Sequence, residues 1–181
     1  MKFINYFFLS FVIFLLFGCV SLSAPKTQDD NLFVGIIIHT GEGYQKYSSA
    51  SVNGTHKSGI EMTIVNVSSK EEYKIRTKKN GLFYINTLPE GTYEVAQFYL
   101  KVTNGNSWSD TYSSPSSRWI FNITNGKINN FGVINWDGKF REGTNFKFSQ
   151  LYNDVLNEFN TQFPKTNWST REVANLNIEK T

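Results

Sequence analysis

From Gly59 onward the chain alternates apolar and polar residues with the period of two that sends side chains to opposite faces of a strand. Ile60, Met62 and Ile64 share one face while Glu61 and Thr63 take the other, which predicts a strand with one buried side. Polar Ser68 to Glu71 turns the chain. Tyr73, Ile75 and Thr77 then alternate with Lys74 and Arg76 in a second strand whose cations face water. Lys79-Asn80-Gly81 predicts a tight hairpin, because Asn and Gly adopt positive φ at little steric cost, and Leu82 to Ile85 begins a third strand. In Leu88-Pro89-Glu90-Gly91, proline suits the second position of a type I turn and glycine the fourth. Tyr93 follows, placed to bury its ring while its hydroxyl bonds backbone near the turn, as tyrosine corners do.

Either side of this stretch the patterns continue. Leu32 to His39 is an apolar, β-branched run that reads as a first strand buried on both faces, and Thr40 to Ser58 reads as a long loop. Tyr93 and Val95 lie on one face but Ala96, Phe98, Leu100 and Val102 on the other, so a β-bulge or a change of sheet is expected near Val95 and Ala96. Thr103 to Ser117 reads as a second long polar loop. Trp119, Phe121 and Ile123 alternate in a further strand, Asn125-Gly126 turns the chain into Ile128 to Trp136, and Asp137-Gly138 turns it again toward Phe140 and Phe146 to Phe148. At Ser149 the period changes to helical. Leu151, Val155, Phe159 and Phe163, with Leu156 beside them, predict an amphipathic helix capped by Ser149, stopping before Pro164 and packed on the strands. The tail from Pro164 to Thr181 reads as irregular, pinned by Trp168. The expected architecture is mainly β: an antiparallel β-sandwich of transthyretin/immunoglobulin-like type over residues 32–148, with one C-terminal amphipathic α-helix and tail over 149–181.

The spacing Thr77-x-x-x-Gly81-x-Phe83-x-Ile85-x-x-Leu88-Pro89-x-Gly91-x-Tyr93-x-Val95 resembles the signature of carboxypeptidase regulatory-like domains, small transthyretin-like β-sandwiches of secreted and surface proteins. The resemblance covers about Gly59 to Val102. It implies an accessory module with no catalytic residues to carry over. The Gly/Ser/Tyr-rich insertion before Gly59 departs from that pattern.

The first residues set the expected location. Lys2 precedes the apolar run FFLSFVIFLLF, too short and too near the terminus to favour a spanning helix, so residues 1–18 read as a signal peptide. Leu16-Phe17-Gly18-Cys19 resembles the lipobox of bacterial lipoproteins, although Phe17 replaces the small residue usual there. The resemblance implies lipid attachment, with palmitate-type chains, at Cys19. Cys19 is the only cysteine, so the chain has no internal disulfide. Residues 19–31 are polar and contain Pro25, the composition of a tether. The expected partner is therefore the membrane, through an N-terminal lipid. Val20 rather than Asp after the cysteine favours the outer membrane or cell surface of the envelope over the inner membrane.

Composition narrows the function without naming it. With 181 residues, 40% of them hydrophobic and 16% aromatic, the chain supports one domain with a sizeable core. The net charge of +3 falls to +2 when Lys2 leaves with the signal, which does not favour nucleic acid as a partner. His39 and His56 are the only histidines and have no cysteine near them, so no metal site and no cofactor is expected. No nucleophile elbow, phosphate loop or dinucleotide fingerprint is present. The chain thus reads as a non-catalytic accessory, binding or structural module, not an enzyme. The alternative is a hydrolase or a carbohydrate-binding protein acting on envelope or extracellular polysaccharide. A hydrolase needs residues such as Asp110, Glu142 or His56 to converge in one cleft. Candidate ligand contacts are Tyr44 and Tyr47 in the first loop and Trp108 and Tyr112 in the second, whose rings can stack on a glycan or anchor an envelope protein. The plainer role for Trp108 is to cover the sandwich edge.

Overall fold

Among the described residues, two sheets and one α-helix account for the hydrophobic pattern. The computed structural model describes residues 22–40, 60–78, 80–104, 107–138, 144–164 and 166–181. In the first sheet, β1 (Leu32–Thr40) lies between antiparallel β4 (Leu82–Ile85) and parallel β8 (Ile128–Gly138). Two strands share the far edge of β8: β10 (Val173–Asn175) pairs with its start and β9 (Thr144–Ser149) with its end. The second sheet runs β3 (Glu72–Arg76), β2 (Ile60–Asn66), β5 (Gly91–Asn104). The far edge of β5 is likewise divided, between β7 (Trp119–Ile123) at its start and β6 (Ser107–Ser113) at its end, and β11 (Glu179–Lys180) pairs with β7. Helix α1 (Tyr152–Gln162) covers the outer face of the first sheet. The chain is a β-sandwich with one C-terminal helix.

There are two cores, and β1 feeds both. Between the sheets, Phe33 stacks on Phe121 with ring centroids 5.2 Å apart, and Phe131 meets both edge-on at 5.5 and 5.1 Å. Offset and edge-on rings are the geometries the aromatic quadrupole favours. On the other side, Leu32, Val34 and Ile36 pack with Val155 and Phe159 of α1 and with Trp168. The apolar run at the start of the domain is therefore buried on both faces, as its lack of alternation predicts. The stripe of α1 also behaves as its spacing predicts at Val155 and Phe159, while Leu151 at its start is half exposed.

The switch of face near Val95 is a bulge. Thr63 pairs with Gln97 and Ile64 with Val95, leaving Ala96 as the extra residue. A second irregularity lies in β8: Val34 faces Asn130 but Ile36 faces Val133, and Gly132 carries φ +89°. Tyr93 forms the expected corner. Its ring is buried and its hydroxyl donates to the Pro89 carbonyl at 2.8 Å. Tyr93→Phe removes that bond while keeping the ring, and is expected to cost about 1 kcal/mol. An unchanged midpoint in urea unfolding refutes the role.

Four local expectations are corrected. Lys79 to Gly81 does not close a hairpin: β3 and β4 lie in different sheets. Leu82 faces the helix-side core and Phe83 the inter-sheet core, both fully buried, so β4 needs cover on both faces, which edge strand β3 with its exposed alternate residues cannot provide. Thr103 to Ser117 is not a long loop but mostly the β5–β6 hairpin, since backbone pairing overrides polar composition. Ser149 does not cap α1. It ends β9, Leu151 holds the cap position without a side-chain bond, and Asn135 Nδ2 donates instead to Ser149 Oγ at 3.4 Å. The tail is not irregular throughout, because β10 and β11 add one strand to each sheet, although Trp168 does pin it.

Candidate functional site

The outer face of the second sheet carries a row of side chains in register: Arg76, Glu61, Tyr99 and Tyr112, one from each of β3, β2, β5 and β6. The Tyr99 and Tyr112 rings lie 4.8 Å apart at a tilt of 36°, and Tyr112 is 61% exposed. Arg76 Nη2 reaches Glu61 Oε2 at 3.3 Å. A solvated pair of this kind contributes at most about 1 kcal/mol, so both groups remain available to a ligand. The Ala96 bulge creates the row. Tyr93 and Val95 point inward, and without an extra residue Phe98 would be exposed and Tyr99 buried. With it, Phe98 enters the core and Tyr99 joins Tyr112 outside.

Of the residues singled out from the sequence, Tyr112 stands on this ledge. Trp108 lies in the same strand opposite Thr103, and Asp110 opposite Lys101, with side chains outside the described residues. Cys19, Tyr44, Tyr47, His56 and Glu142 also lie outside them. Tyr99, Glu61 and Arg76 carry no site signal of their own in the sequence. The signal was present in the face switch, which puts Ala96, Phe98, Leu100 and Val102 on one face and therefore Tyr99 on the other.

A second feature follows from the divided edge of β5. Between β7 and β6 opens a cleft of about 260 Å³, lined in part by Glu94, Val95, Ala96, Pro115, Arg118 and Thr181. Arg118 grips Glu94 through two bonds, Nε to Oε1 at 2.9 Å and Nη2 to Oε2 at 2.6 Å. Those bonds hold the Glu94 carboxyl below the usual carboxylate range. Glu94 is thus held as the ionised partner of Arg118. Among the described residues no three His, Cys, Asp or Glu side chains gather as a metal ion would require. No helix among them is long and apolar enough to cross a membrane.

The third feature is the segment before β1. Its polar composition predicts a free tether, but from Leu22 onward it is docked. Leu22 is buried in the helix-side core. Trp168 Nε1 donates to the Ser23 carbonyl at 2.9 Å and Asn86 Nδ2 to Ser23 Oγ at 2.8 Å. Arg171 donates to the carbonyls of Thr27 and Gln28, at 2.5 and 2.7 Å, and Gly126 N–H donates to that of Asp29. Gly126 has φ +72°, and a Cβ there would stand 2.8 Å from the Gln28 carbonyl oxygen, so the segment lies where only glycine leaves room. The physical cause is that one leucine, one serine hydroxyl and a set of backbone carbonyls find partners far away in sequence, the hydroxyl in Asn86 and the carbonyls in Gly126, Trp168 and Arg171.

Asp30 closes this segment into a turn. Its carboxylate accepts from the backbone N–H groups of Lys26 and Thr27 and from the Thr27 hydroxyl. These bonds, the Lys26 amide first, hold its carboxyl below the usual range. A depressed carboxyl contributes stability that is present above its unfolded value, about pH 4, and disappears as pH falls through the folded value. The stability difference between wild type and Asp30→Asn is therefore expected to be full at pH 6 and to shrink progressively below about pH 4. Thermal midpoints across that range check it; a constant gap contradicts the charge assignment.

No family model matches the chain, and no curated protein matches it. Among solved structures, a leucine-rich repeat protein from Bacteroides thetaiotaomicron is 17% identical, with a TM-score of 0.33. That likeness covers 64% of this chain and 14% of that one.

Proposed function

We propose that this chain is a membrane-anchored envelope lipoprotein, held by acyl chains on Cys19 and serving as a non-catalytic binding module. The Gly18-Cys19 junction behind its apolar run is the single observation that carries the anchor. Two or three acyl chains hold a protein stably where one does not. The likeness of Thr77 to Val95 to carboxypeptidase regulatory-like domains supports the accessory role. The Gly91 turn and the Tyr93 corner of that motif have structural roles, which is in keeping with an accessory module. The envelope face favoured by Val20 is the outer membrane or the cell surface.

The binding face in this reading is the ledge of Tyr99 and Tyr112. Adjacent rings offer an apolar surface to the C–H face of a sugar, and Glu61, Arg76, Thr63 and Gln97 supply donors and acceptors in the same and the next row. An envelope or extracellular polysaccharide is the ligand this favours. Membrane fractionation tests the anchor: Cys19→Ala is expected to move the protein to the soluble fraction, and retention in the membrane refutes lipid attachment. Titrating intrinsic fluorescence with purified envelope polysaccharide tests the ledge. Binding that survives Tyr112→Ala places the ligand elsewhere, and no binding to any polysaccharide retires the glycan reading.

A further inference from the structure

We infer that the domain is seated directly against the headgroup surface of the bilayer in a fixed orientation, with the ledge of the second sheet turned away from it. This rests on the lipid anchor at Cys19 proposed above. Leu22 is already buried in the domain, so only Cys19 to Leu22 can act as tether. Three residue steps span at most about 10 Å when fully extended. A free segment running from Cys19 to Asn31 would reach about 40 Å on the same scale. Docking shortens the connection roughly fourfold and replaces a flexible stalk with a short link.

The link also fixes which side faces the lipid. Leu22 belongs to the helix-side core, and Ser23 is bonded to Asn86 just past the end of β4 and to Trp168. The attachment point is therefore on the helix flank of the first sheet, at the end where β1 begins. Strand direction sets the rest. β1 and β8 both run away from this end, β5 begins at the same end beside β7 and runs away too, and its hairpin with β6 turns at the far end. Glu61, Tyr99 and Tyr112 lie on the opposite sheet toward that far end. Arg171, donating to the Thr27 and Gln28 carbonyls, and Gly126, donating to Asp29, keep the segment from peeling away from the domain under the pull of the anchor.

Energy transfer in vesicles tests the seating. The full lipidated chain is reconstituted into phosphatidylglycerol–phosphatidylethanolamine vesicles whose headgroups carry an acceptor dye. A donor is placed on Thr87→Cys, an exposed position next to Asn86, or on Lys74→Cys, on the outer face of the second sheet. Acylation of Cys19 leaves the introduced thiol as the one available for labelling. Thr87 follows the end of β4 in the first sheet and Lys74 lies in β3 of the second; the sheets pack about 10 Å apart and the two positions differ in height along strands rising about 3.3 Å per residue, so transfer is expected about twofold higher from residue 87. A Gly/Ser insert of about twelve residues between Ser21 and Leu22, with a root-mean-square span of about 20 Å, is expected to abolish the difference. Equal transfer from both positions in an acylated, vesicle-bound chain overturns the seating alone. A chain that floats free of vesicles, with Cys19 unmodified by mass spectrometry, overturns the anchor and the seating together.

Discussion

Trp168→Ala is expected to lower stability by about 3–5 kcal/mol, the usual cost of emptying a large aromatic site. The indole is fully buried among Leu22, Leu32, Val155 and Phe159, and its N–H holds the Ser23 carbonyl. For a domain whose whole stability lies near 5–15 kcal/mol, that is a large share. The loss should also be uneven. Amide exchange is expected to rise most over residues 22–30 and in α1, and least in β2 and β5, which take no part in that core. Trp168→Phe keeps most of the ring volume and drops the N–H bond, and its loss is expected to be nearer 1 kcal/mol. A urea midpoint for Trp168→Ala within error of wild type would show that the tail and the N-terminal segment are not joined through this side chain.

That joint marks the boundary of what the sequence discloses. Where one face of a strand is buried and the other wet, as in β2, burial alternates residue by residue as the pattern predicts. The Tyr93 corner and the Val155–Phe159 stripe are legible for the same reason: their signals are local. Sheet membership is not. Nothing between Arg76 and Leu82 tells a reader that the chain changes layers; only the burial of both Leu82 and Phe83 does. The β5–β6 hairpin and the two tail strands exist because a distant edge offers hydrogen bonds, not because their composition is apolar.

Asparagine misleads in the same way. In a chain rich in Asn, Ser and Thr these residues read as loop, yet Asn31, Asn66, Asn129 and Asn130 are buried. Each substitutes for a missing backbone partner. Asn66 Oδ1 accepts the amides of Ser68 and Ser69, Asn129 bonds both the N–H and the carbonyl of Thr124, and Asn130 Nδ2 donates to the Tyr152 carbonyl. Asn31 Nδ2 donates to the Leu88 carbonyl at 2.6 Å. A side-chain amide offers both a donor and an acceptor, which suits the places where strands end and the ladder stops. The candidate ledge was half legible on these terms. Tyr112 is visible as an aromatic in a polar stretch, whereas Tyr99 becomes visible only once the bulge at Ala96 is placed and the period of two is restarted after it.

Gly132→Ala is expected to cost about 3 kcal/mol, from two effects acting at one atom. At φ +89° an L side chain costs about 1–2 kcal/mol. The added Cβ would also stand 2.8 Å from the Ser149 carbonyl oxygen and 3.1 Å from the Phe148 ring, and crowding of that kind typically adds about 1–3 kcal/mol. Ser149 pairs with Val133 in the ladder, so the backbone there cannot retreat without opening β9 from β8. Nor can the bulge simply be flattened. It sends Phe131 into the inter-sheet core and Val133 into the helix-side core, two positions that a regular strand would place on one face. Asn130 braces the arrangement by accepting the Gly132 amide at 3.1 Å. Chemical denaturation of Gly132→Ala checks the expectation, and a loss under about 0.5 kcal/mol, the range of an inconsequential surface change, would mean that β8 reaches both cores by some means other than a left-handed glycine.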